Sequence, residues 1–269
     1  MSSQPFKHWL VRWKLTPDGS AVTTRFGSQL LPVVWRGERA ILKIAGHEEE
    51  RRGGKLMEWY GGTGAARVLA REGDALLLER LLGKRSLSDM ARRGQDDDAT
   101  RILCRTAIAL HAPREQAAPT GLIRLETWFR ALETAASQHG GTFATCAGVA
   151  RSLLADQREP VVLHGDVHHD NVLDGGVRGW LVIDPKGLVG ERGFEYANLF
   201  RNPDLTIALA PGQMQRRAQI VAQEADLDGR RLLDWVVAYA GLGAAWSLED
   251  GDDPRPGLAI AEHAAANFI

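Results

Sequence analysis

A polar segment set between short apolar runs restricts the fold of this chain more than any other feature. The run Val161-Val162-Leu163 is typical of a buried strand, and it leads into His164-Gly165-Asp166 and, after four further residues, Asn171. Two more apolar runs follow, joined by the turn residues Asp174-Gly175-Gly176, and the second ends at Asp184. Because strands joined by a tight turn fold back on each other, the sequence predicts that Asp166, Asn171 and Asp184 lie close together.

These residue types, in this order, are what phosphoryl transfer requires. A carboxylate at Asp166 can orient an attacking hydroxyl and accept its proton, while Asn171 and Asp184 can hold Mg²⁺ against phosphates. Each residue alone could equally be an ordinary turn residue. The ordered set is more specific, and it predicts a phosphotransferase site.

Composition excludes several other classes of protein. The 269 residues are 44% hydrophobic, enough for one large domain or two lobes, and the formal net charge of -1 gives no field that attracts nucleic acid. No apolar run approaches the ~20 residues of a membrane span, and residues 1–14 lack the apolar core of a signal peptide. The two cysteines, Cys104 and Cys146, are expected to be reduced core thiols.

We therefore expect a cytoplasmic protein that binds neither nucleic acid nor a membrane. The sequence leaves the oligomeric state open, and a monomer is the favoured expectation.

The chain divides into a strand-rich first third and a mainly helical remainder. The predicted strands of the first third are Trp9–Leu15, Val22–Thr24, Leu30–Trp35, Ala40–Ile44, Val68–Ala70 and Ala75–Leu78. Segments with helical spacing are Glu48–Tyr60, which Gly53-Gly54 weakens, Thr100–His111, Arg124–His139, Cys146–Ala155, Met214–Ala225 and Arg230–Trp246. Together with the strand-rich island Val161–Ile183, these patterns predict an α+β fold of two lobes, 1–82 and 83–269, joined near Glu79–Gly83.

The segment from His164 to Asp184 resembles the catalytic segment of the protein-kinase-like fold, in particular its aminoglycoside phosphotransferase branch. That branch has His-Gly-Asp where protein kinases have His-Arg-Asp. The resemblance implies that Asp166 is the catalytic base, that Asn171 and Asp184 bind Mg²⁺, and that ATP is the phosphoryl donor. It also implies a bilobal fold whose small β-rich N-terminal lobe binds the nucleotide.

The same resemblance implies a lysine on an upstream strand that contacts phosphate oxygens. Lys43 in Ala40–Ile44 fits, because a lysine within an apolar strand is costly unless it meets an anion. Its carboxylate partner should lie in the next helix, where we favour Glu50 over Glu48 and Glu49.

Two further nucleotide contacts are expected on weaker signals. No GxGxxG pattern is present, and Arg25–Gln29, with backbone N–H groups and the Ser28 hydroxyl, is the best candidate for the loop over the phosphates. Main-chain contacts with adenine are expected from Leu77–Leu81, which includes Glu79 and Leu81.

Longer runs make the resemblance more specific. The stretch Arg178–Glu191 looks like the aminoglycoside 6-phosphotransferases, which are the streptomycin 6-kinases and are grouped with hydroxyurea-resistance kinases. The resemblance spans about Trp9 to Ala265 and implies transfer to the 6-hydroxyl of streptomycin, which inactivates the antibiotic. The departures from the usual pattern are mild, and they are Val167, Asp170, Lys186 and Glu195.

A cationic aminoglycoside should be bound by carboxylates, since streptomycin carries guanidinium groups. Glu191 and Glu195 follow Asp184 at short range, and both are candidates for substrate binding. The acidic cluster Glu249–Asp253 has the glycine and proline content of a solvated loop instead.

Three alternatives remain open at the level of sequence. The first is a kinase for another small alcohol, because acceptor pockets are built from scattered residues. The second is a nucleotide-binding pseudokinase, although the complete set Lys43, Asp166, Asn171 and Asp184 disfavours it. The third is a zinc hydrolase using His164, His168 and His169, whose spacing is not that of H-E-x-x-H.

Overall fold

The computed structural model describes residues 4–25 and 27–266, which form three sheets and eleven α-helices. The strands are β1 (Thr16–Pro17), β2 (Val22–Thr23), β3 (Gln29–Trp35), β4 (Glu38–Ile44), β5 (Val68–Glu72), β6 (Ala75–Glu79), β7 (Ile123–Arg124), β8 (Pro160–Leu163), β9 (Val172–Asp174), β10 (Trp180–Val182) and β11 (Leu188–Glu191).

The α-helices are numbered in chain order. They are α1 (Lys7–Arg12), α2 (Glu48–Tyr60), α3 (Leu87–Arg92), α4 (Asp96–His111), α5 (Leu125–Trp128), α6 (Arg130–His139), α7 (Gly141–Ala155), α8 (Leu205–Ala208), α9 (Gln213–Ala225), α10 (Gly229–Glu249) and α11 (Arg255–Ala266). Three 3₁₀ segments lie at Gln4–Phe6, Gly176–Arg178 and Arg192–Arg201.

Six strands of the first third form one antiparallel sheet. Its order is β1-β3-β4-β6-β5, and β2 also pairs with β3. The predicted strands Leu30–Trp35 and Ala40–Ile44 are confirmed as β3 and β4, which form an antiparallel hairpin with Trp35 opposite Glu38 beside the turn. Val33 and Leu42 are fully buried in the core on one face. Side chains alternate along a strand, so Lys43 points to the other face, where it lines a cleft.

Helix α2 packs beside this sheet and has the bounds that the sequence predicts. It begins after the extended residue His47 and ends at Gly61, whose φ of 59° only glycine adopts at low cost. Leu56, Met57 and Tyr60 are buried on its inner face. Its acidic first turn therefore lies at one end of the cleft, where Glu50 is also a lining residue.

The helical part of the chain is built around α10, which packs on α6, α7, α9 and α11. Aromatic rings fill the space between them, with Phe194 in edge-on contact with Trp235 and Tyr239. Cys104 and Cys146 are buried and not disulfide-bonded, as the sequence predicts. Burial raises the pKa of Cys104 to about 12 and that of Cys146 to about 11, so both stay protonated thiols.

Two small sheets lie between the strand-rich and helical parts. β9 and β10 form an antiparallel hairpin, and β11 pairs with β8 antiparallel and with β7 in parallel. Ala66 N donates to Val182 O over 3.0 Å, and Gly83 N donates to Asp174 O over 3.0 Å. These bonds fix the first sheet to the hairpin that follows the predicted catalytic loop.

Several predicted elements differ from those observed. The predicted strand Trp9–Leu15 is wrong, because α1 and a following turn occupy this segment. Trp9 and Trp13, four residues apart, lie on one helical face with ring centroids 4.9 Å apart. The predicted helix Arg124–His139 is interrupted at Phe129, and β11, α3 and α11 were not predicted at all.

The α+β organisation is confirmed, with the sheet within residues 16–79 and most helices after residue 86. The division at residues 82 and 83 stays a prediction. Among the helices of residues 4–25 and 27–266, none is long and apolar enough to cross a membrane.

Candidate active site

The predicted catalytic loop begins where β8 ends, and its path depends on Gly165. This residue has a φ of 83°, and a Cβ atom there would lie 2.7 Å from Leu188 Cδ1 of the neighbouring strand β11. Glycine is therefore required both by the backbone conformation and by the space available. Lys186 N donates to His164 O over 2.7 Å, which joins this loop to the segment after Asp184.

His164 holds the loop through both nitrogens of its buried ring. Its Nδ1 accepts a hydrogen bond from Asp166 N at 3.2 Å, and Nε2–H donates to Ile183 O at 2.8 Å. Burial lowers the pKa of His164, so the ring is neutral and can accept with one nitrogen while donating with the other. These two bonds hold the loop between His164 and Asp166 against the residue that precedes Asp184.

The Asp166 carboxylate is held by two amide side chains. Asn198 Nδ2 donates to Oδ1 over 2.7 Å, and Asn171 Nδ2 donates to Oδ2 over 3.1 Å and to the Asp166 carbonyl oxygen over 3.0 Å. The carboxylate keeps 19% of its surface exposed. It is therefore fixed in orientation yet open to a substrate.

Asp184 lies opposite, in a backbone conformation that is unusual for a side chain of its type. Its φ is 62°, the left-handed region that non-glycine residues seldom occupy outside turns and functional sites. The Lys43 ammonium forms ion pairs with Asp184 and with Glu50 of α2. Burial raises the pKa of Asp184, but the charge and hydrogen bond of Lys43, together with Lys186 and His164, lower it, and the net direction is downward. The carboxylate is therefore ionised at neutral pH.

These groups lie along a cleft of about 440 Å³ between the first sheet and the β9–β10 hairpin. Apolar side chains line most of it, among them Ile41, Met57, Leu78, Leu81 and Leu173. Lys43, Glu50, Asn171 and Asp184 line its polar end. A flat apolar slot that ends in a cation and metal-ligand groups suits a base joined to phosphates.

Glu79 and Leu81 both line this cleft, as predicted for the adenine-binding connection. The Glu79 carboxylate accepts from Arg67 N over 2.7 Å and forms ion pairs with Arg67 and Arg178. Burial raises the pKa of Glu79, but the Arg67 and Arg178 donors outweigh it, so the pKa is lowered. Its side chain is thus engaged within the protein, and only its main chain could serve a nucleotide.

The sequence predicts that the Ser28 hydroxyl contacts the phosphates, but Ser28 does not line the cleft. It is fully buried, and its Oγ accepts from Gly46 N over 3.3 Å. Thr24 on the same loop lines the cleft instead. Phe26, at the centre of the predicted segment Arg25–Gln29, lies outside the described residues.

Comparison with known proteins identifies the family. Residues 12–251 match the model of the aminoglycoside/hydroxyurea antibiotic resistance kinases. The chain belongs to this family. It is 48% identical over 254 residues to the streptomycin 3''-kinase of Klebsiella pneumoniae, covering 93% of this chain and 94% of that protein. It is also 30% identical to the streptomycin 6-kinase of Streptomyces griseus, covering 89% and 81%.

Solved structures of the same fold support the bilobal architecture of this family. The aminoglycoside phosphotransferase APH(4)-Ia in complex with ADP and hygromycin B superposes with a TM-score of 0.72 at 14% identity, covering 98% of both chains. An ethanolamine kinase of Plasmodium vivax gives 0.66 at 12% identity, covering 96% of this chain and 83% of that one. The predicted protein-kinase-like fold is confirmed, and family membership makes the chain a phosphotransferase acting on a hydroxyl group.

The two carboxylates predicted to bind an aminoglycoside are both buried, and neither lines the cleft. Glu191 is buried, where it forms an ion pair with Arg231 at 2.6 Å and accepts from Trp235 Nε1 over 2.7 Å. It lines a separate cavity of about 180 Å³ that shares no lining residue with the cleft. An already neutralised, buried carboxylate has little to offer a cationic substrate.

Glu195 is also buried, and it holds the catalytic loop from behind. Its two oxygens accept from His164 N over 2.8 Å and from Gly165 N over 2.7 Å, and His111 Nε2 lies 3.1 Å from Oε2. Burial raises its pKa, but these partners outweigh burial, so the pKa is lowered. The geometry therefore gives Glu195 a supporting role for the loop, and its contact with a substrate stays a prediction.

Sequence reasoning assigned no role to Asn198, Glu49 or His111. Asn198 and Glu195 are polar residues within an otherwise apolar stretch, Phe194–Phe200. That pattern could have indicated that both side chains are buried and hydrogen-bonded. A buried polar side chain in such a run needs a partner, and the catalytic loop supplies it.

Proposed function

We propose that this chain transfers the γ-phosphoryl group of ATP to a hydroxyl group of streptomycin. The observation that carries the proposal is that Lys43, Asn171 and Asp184 line the polar end of one apolar cleft, while Asp166 is hydrogen-bonded to Asn171. Family membership supports the phosphotransferase chemistry, and the named relatives support the acceptor.

The nucleotide is assigned to the cleft. Its base would lie among the apolar residues, against the main chain of Glu79 and Leu81, and its phosphates would lie near Lys43. Glu50 holds the Lys43 ammonium at the polar end through their ion pair. A lysine held in this way neutralises phosphate charge without first having to be ordered.

Mg²⁺ is assigned to Asn171 and Asp184. Within residues 4–25 and 27–266, no three His, Cys, Asp or Glu side chains are grouped to hold a metal ion. An amide oxygen and a carboxylate are nevertheless hard oxygen donors of the kind Mg²⁺ prefers, and Mg²⁺ usually takes its remaining ligands from phosphates and water. The ionised state of Asp184 fits this role. When bound, the ion would neutralise charge on the phosphates.

The transfer is an in-line displacement. The acceptor oxygen forms a bond to the γ-phosphorus as the bond from that phosphorus to the β,γ-bridging oxygen breaks, and ADP leaves with the electron pair. Asp166 orients the acceptor hydroxyl and takes its proton, which then passes to water. Asn198 and Asn171 fix the carboxylate for this step, so positioning and electrostatics supply most of the acceleration.

The phosphorylated position is the finer part of the proposal. The sequence resemblance favours the 6-hydroxyl, and relatives named as streptomycin 6-kinases are 30% identical to this chain. A relative named as a streptomycin 3''-kinase is 48% identical over nearly the whole length. We therefore favour the 3''-hydroxyl, with the 6-hydroxyl as the second candidate.

An acceptor screen tests this proposal. ADP release with Mg²⁺ would be followed for streptomycin, other aminoglycosides, hydroxyurea and common small alcohols, and the product position would be assigned by phosphorus–proton NMR. We expect streptomycin to give the highest kcat/KM and a 3''-phosphate ester. Faster turnover of an unrelated alcohol would reject the acceptor, and binding of ATP without any turnover would favour the pseudokinase alternative.

A further inference from the structure

Lys186 places a positive charge beside the proposed catalytic carboxylate. Its Nζ lies 3.7 Å from Asp166 Oδ2 and 2.9 Å from Glu49 Oε1 of α2. The side chain is 20% exposed and follows Asp184 by two positions. Its carboxylate partners differ from those of Lys43, which pairs with Asp184 and Glu50.

The position of this ammonium group is fixed by its main chain as well. Lys186 N donates to His164 O over 2.7 Å, and Arg52 Nε of α2 donates to Lys186 O over 2.8 Å. A methyl group on Gly53 would overlap the Pro185 carbonyl oxygen, so α2 and this segment are in direct contact. Lys186 is thus held between α2 and the catalytic loop.

The charges around Lys186 are complementary. Its Nζ lies between the carboxylates of Asp166 and Glu49, which carry the opposite charge. An ammonium group at this distance favours one orientation of the Asp166 carboxylate.

Two adjacent glutamates of α2 each contact a lysine, and each lysine contacts a different carboxylate of the proposed active site. Glu50 pairs with Lys43, which pairs with Asp184, and Glu49 pairs with Lys186, which faces Asp166. The first chain of charges ends on the proposed metal ligand, and the second ends on the proposed base. One helix turn can therefore set the positions of both groups.

We propose that Lys186 is a positioning residue for Asp166, and that Glu49 holds it in place so that α2 orients the catalytic base together with the metal-binding carboxylate. This rests on the phosphotransferase function proposed above. Lys186 acts through Asp166, so its loss should slow the transfer step while leaving nucleotide binding intact.

The test compares Lys186→Met and Lys186→Arg in the full chain with the parent. Lys55→Met is the control, because Lys55 is an exposed lysine on α2, the helix that contacts Lys186 through Glu49. With Mg²⁺ and streptomycin, we expect Lys186→Met to lower kcat about 100-fold and to change KM for ATP by less than about threefold. Lys186→Arg should recover at least about a tenth of the parent kcat, since it keeps the charge, and Lys55→Met should match the parent.

The variant Glu49→Gln provides a second, independent test. We expect it to lower kcat about tenfold alone and to add little in the Lys186→Met background, because both changes affect one chain of contacts. Independent losses that multiply in the double variant would overturn the proposal. So would a Lys186→Met kcat within about threefold of the parent, or a loss that appears only in KM for ATP.

Slow hydrolysis of ATP by water, measured without an aminoglycoside, separates this proposal from the choice of acceptor. If streptomycin is not phosphorylated but hydrolysis falls in Lys186→Met and not in Lys55→Met, the acceptor is wrong and the role of Lys186 stands. If the parent transfers phosphoryl groups to neither streptomycin nor water, both proposals are overturned.

Discussion

At the scale of single residues, the two glutamates after Asp184 show that a buried carboxylate can stabilise a site without contacting the substrate. Read along the sequence, Glu191 and Glu195 lie near the catalytic segment and could meet a cation. In the structure both are buried with partners of their own, and Glu195 accepts two main-chain hydrogen bonds from the catalytic loop. Its carboxylate matters for the site because it determines where His164 and Gly165 lie.

Replacing Glu195 by Gln should therefore reduce stability in a pH-dependent way. The folded-state pKa of Glu195 is lowered, so its stabilising contribution is present above the ordinary glutamate pKa of about 4.3 and is lost as pH falls below that value. We expect Glu195→Gln to cost about 3 kcal/mol of unfolding free energy at pH 7, and less at pH 4 and below. Urea unfolding of both proteins from pH 7 to pH 3 measures this.

Glu249→Gln, in the exposed acidic cluster, is the control and should follow the parent at every pH. A stability difference between parent and Glu195→Gln that stayed constant down to pH 3 would contradict the assigned ionised state.

The residues of the central set could be predicted because their chemistry and order are specific. Lys43, Asn171 and Asp184 line one cleft, Asp166 is hydrogen-bonded to Asn171, and Glu50 pairs with Lys43 as expected. The positions of Ser28 and Glu195 could not be predicted from the sequence. The direction of the Ser28 hydroxyl and the burial of Glu195 follow from packing between segments that are distant along the chain.

At the scale of elements, helix α2 contains two glycines that weaken it as an isolated helix. The structure gives a reason for Gly53, whose missing side chain lets the helix approach the Pro185 carbonyl oxygen. Gly54 has no such constraint, since a Cβ atom there would lie 3.6 Å from Arg71 Cδ in ordinary contact. The helix is thus placed against the catalytic segment at the expense of its own propensity.

The two glycines should respond oppositely to alanine. Gly54→Ala should raise the unfolding free energy by about 1 kcal/mol through helix propensity. Gly53→Ala should lower it by about 2 kcal/mol and reduce kcat, because the added methyl group displaces α2 from the segment after Asp184. Thermal unfolding and steady-state kinetics of the pair check this, and equal stabilisation by both substitutions would show that the close approach is not important.

Element prediction succeeded where pattern and packing agree. The β3–β4 hairpin and α2 have almost the predicted bounds, because turn residues, alternation and helical spacing all point the same way. The prediction of a strand at Trp9–Leu15 is wrong because the apolar residues of so short a segment fit the spacing of either a strand or a helix. There the packing of Trp9, Leu10 and Trp13 against the first sheet decides in favour of the helix.

At the scale of the whole molecule, the strand-rich and helical parts meet around the cleft. Arg178 joins them through Glu79, and Lys43 joins them through Asp184. A nucleotide in the cleft would touch both parts and should stabilise the folded chain as a unit. By binding linkage, a ligand at a hundred times its Kd adds about 2.7 kcal/mol.

A non-hydrolysable ATP analogue with Mg²⁺ should therefore raise Tm by roughly 5 °C or more. Removing Mg²⁺ with a chelator should abolish most of the rise, because phosphates would then face Asp184 without compensation. Asp184→Asn should respond weakly to Mg²⁺, while Lys55→Met should behave as the parent. Differential scanning fluorimetry measures all arms, and a full shift in the presence of chelator would contradict the metal assignment.

The central claim is that Asp166 serves the transfer of a phosphoryl group from ATP to streptomycin. The most direct test is the mass of streptomycin after incubation with ATP, Mg²⁺ and either the parent protein or Asp166→Ala. We expect the parent to add one phosphoryl group, and Asp166→Ala to add almost none while binding the ATP analogue with nearly the parent affinity. Phosphorylation by Asp166→Ala at the parent rate, or no mass gain with the parent, would contradict the account.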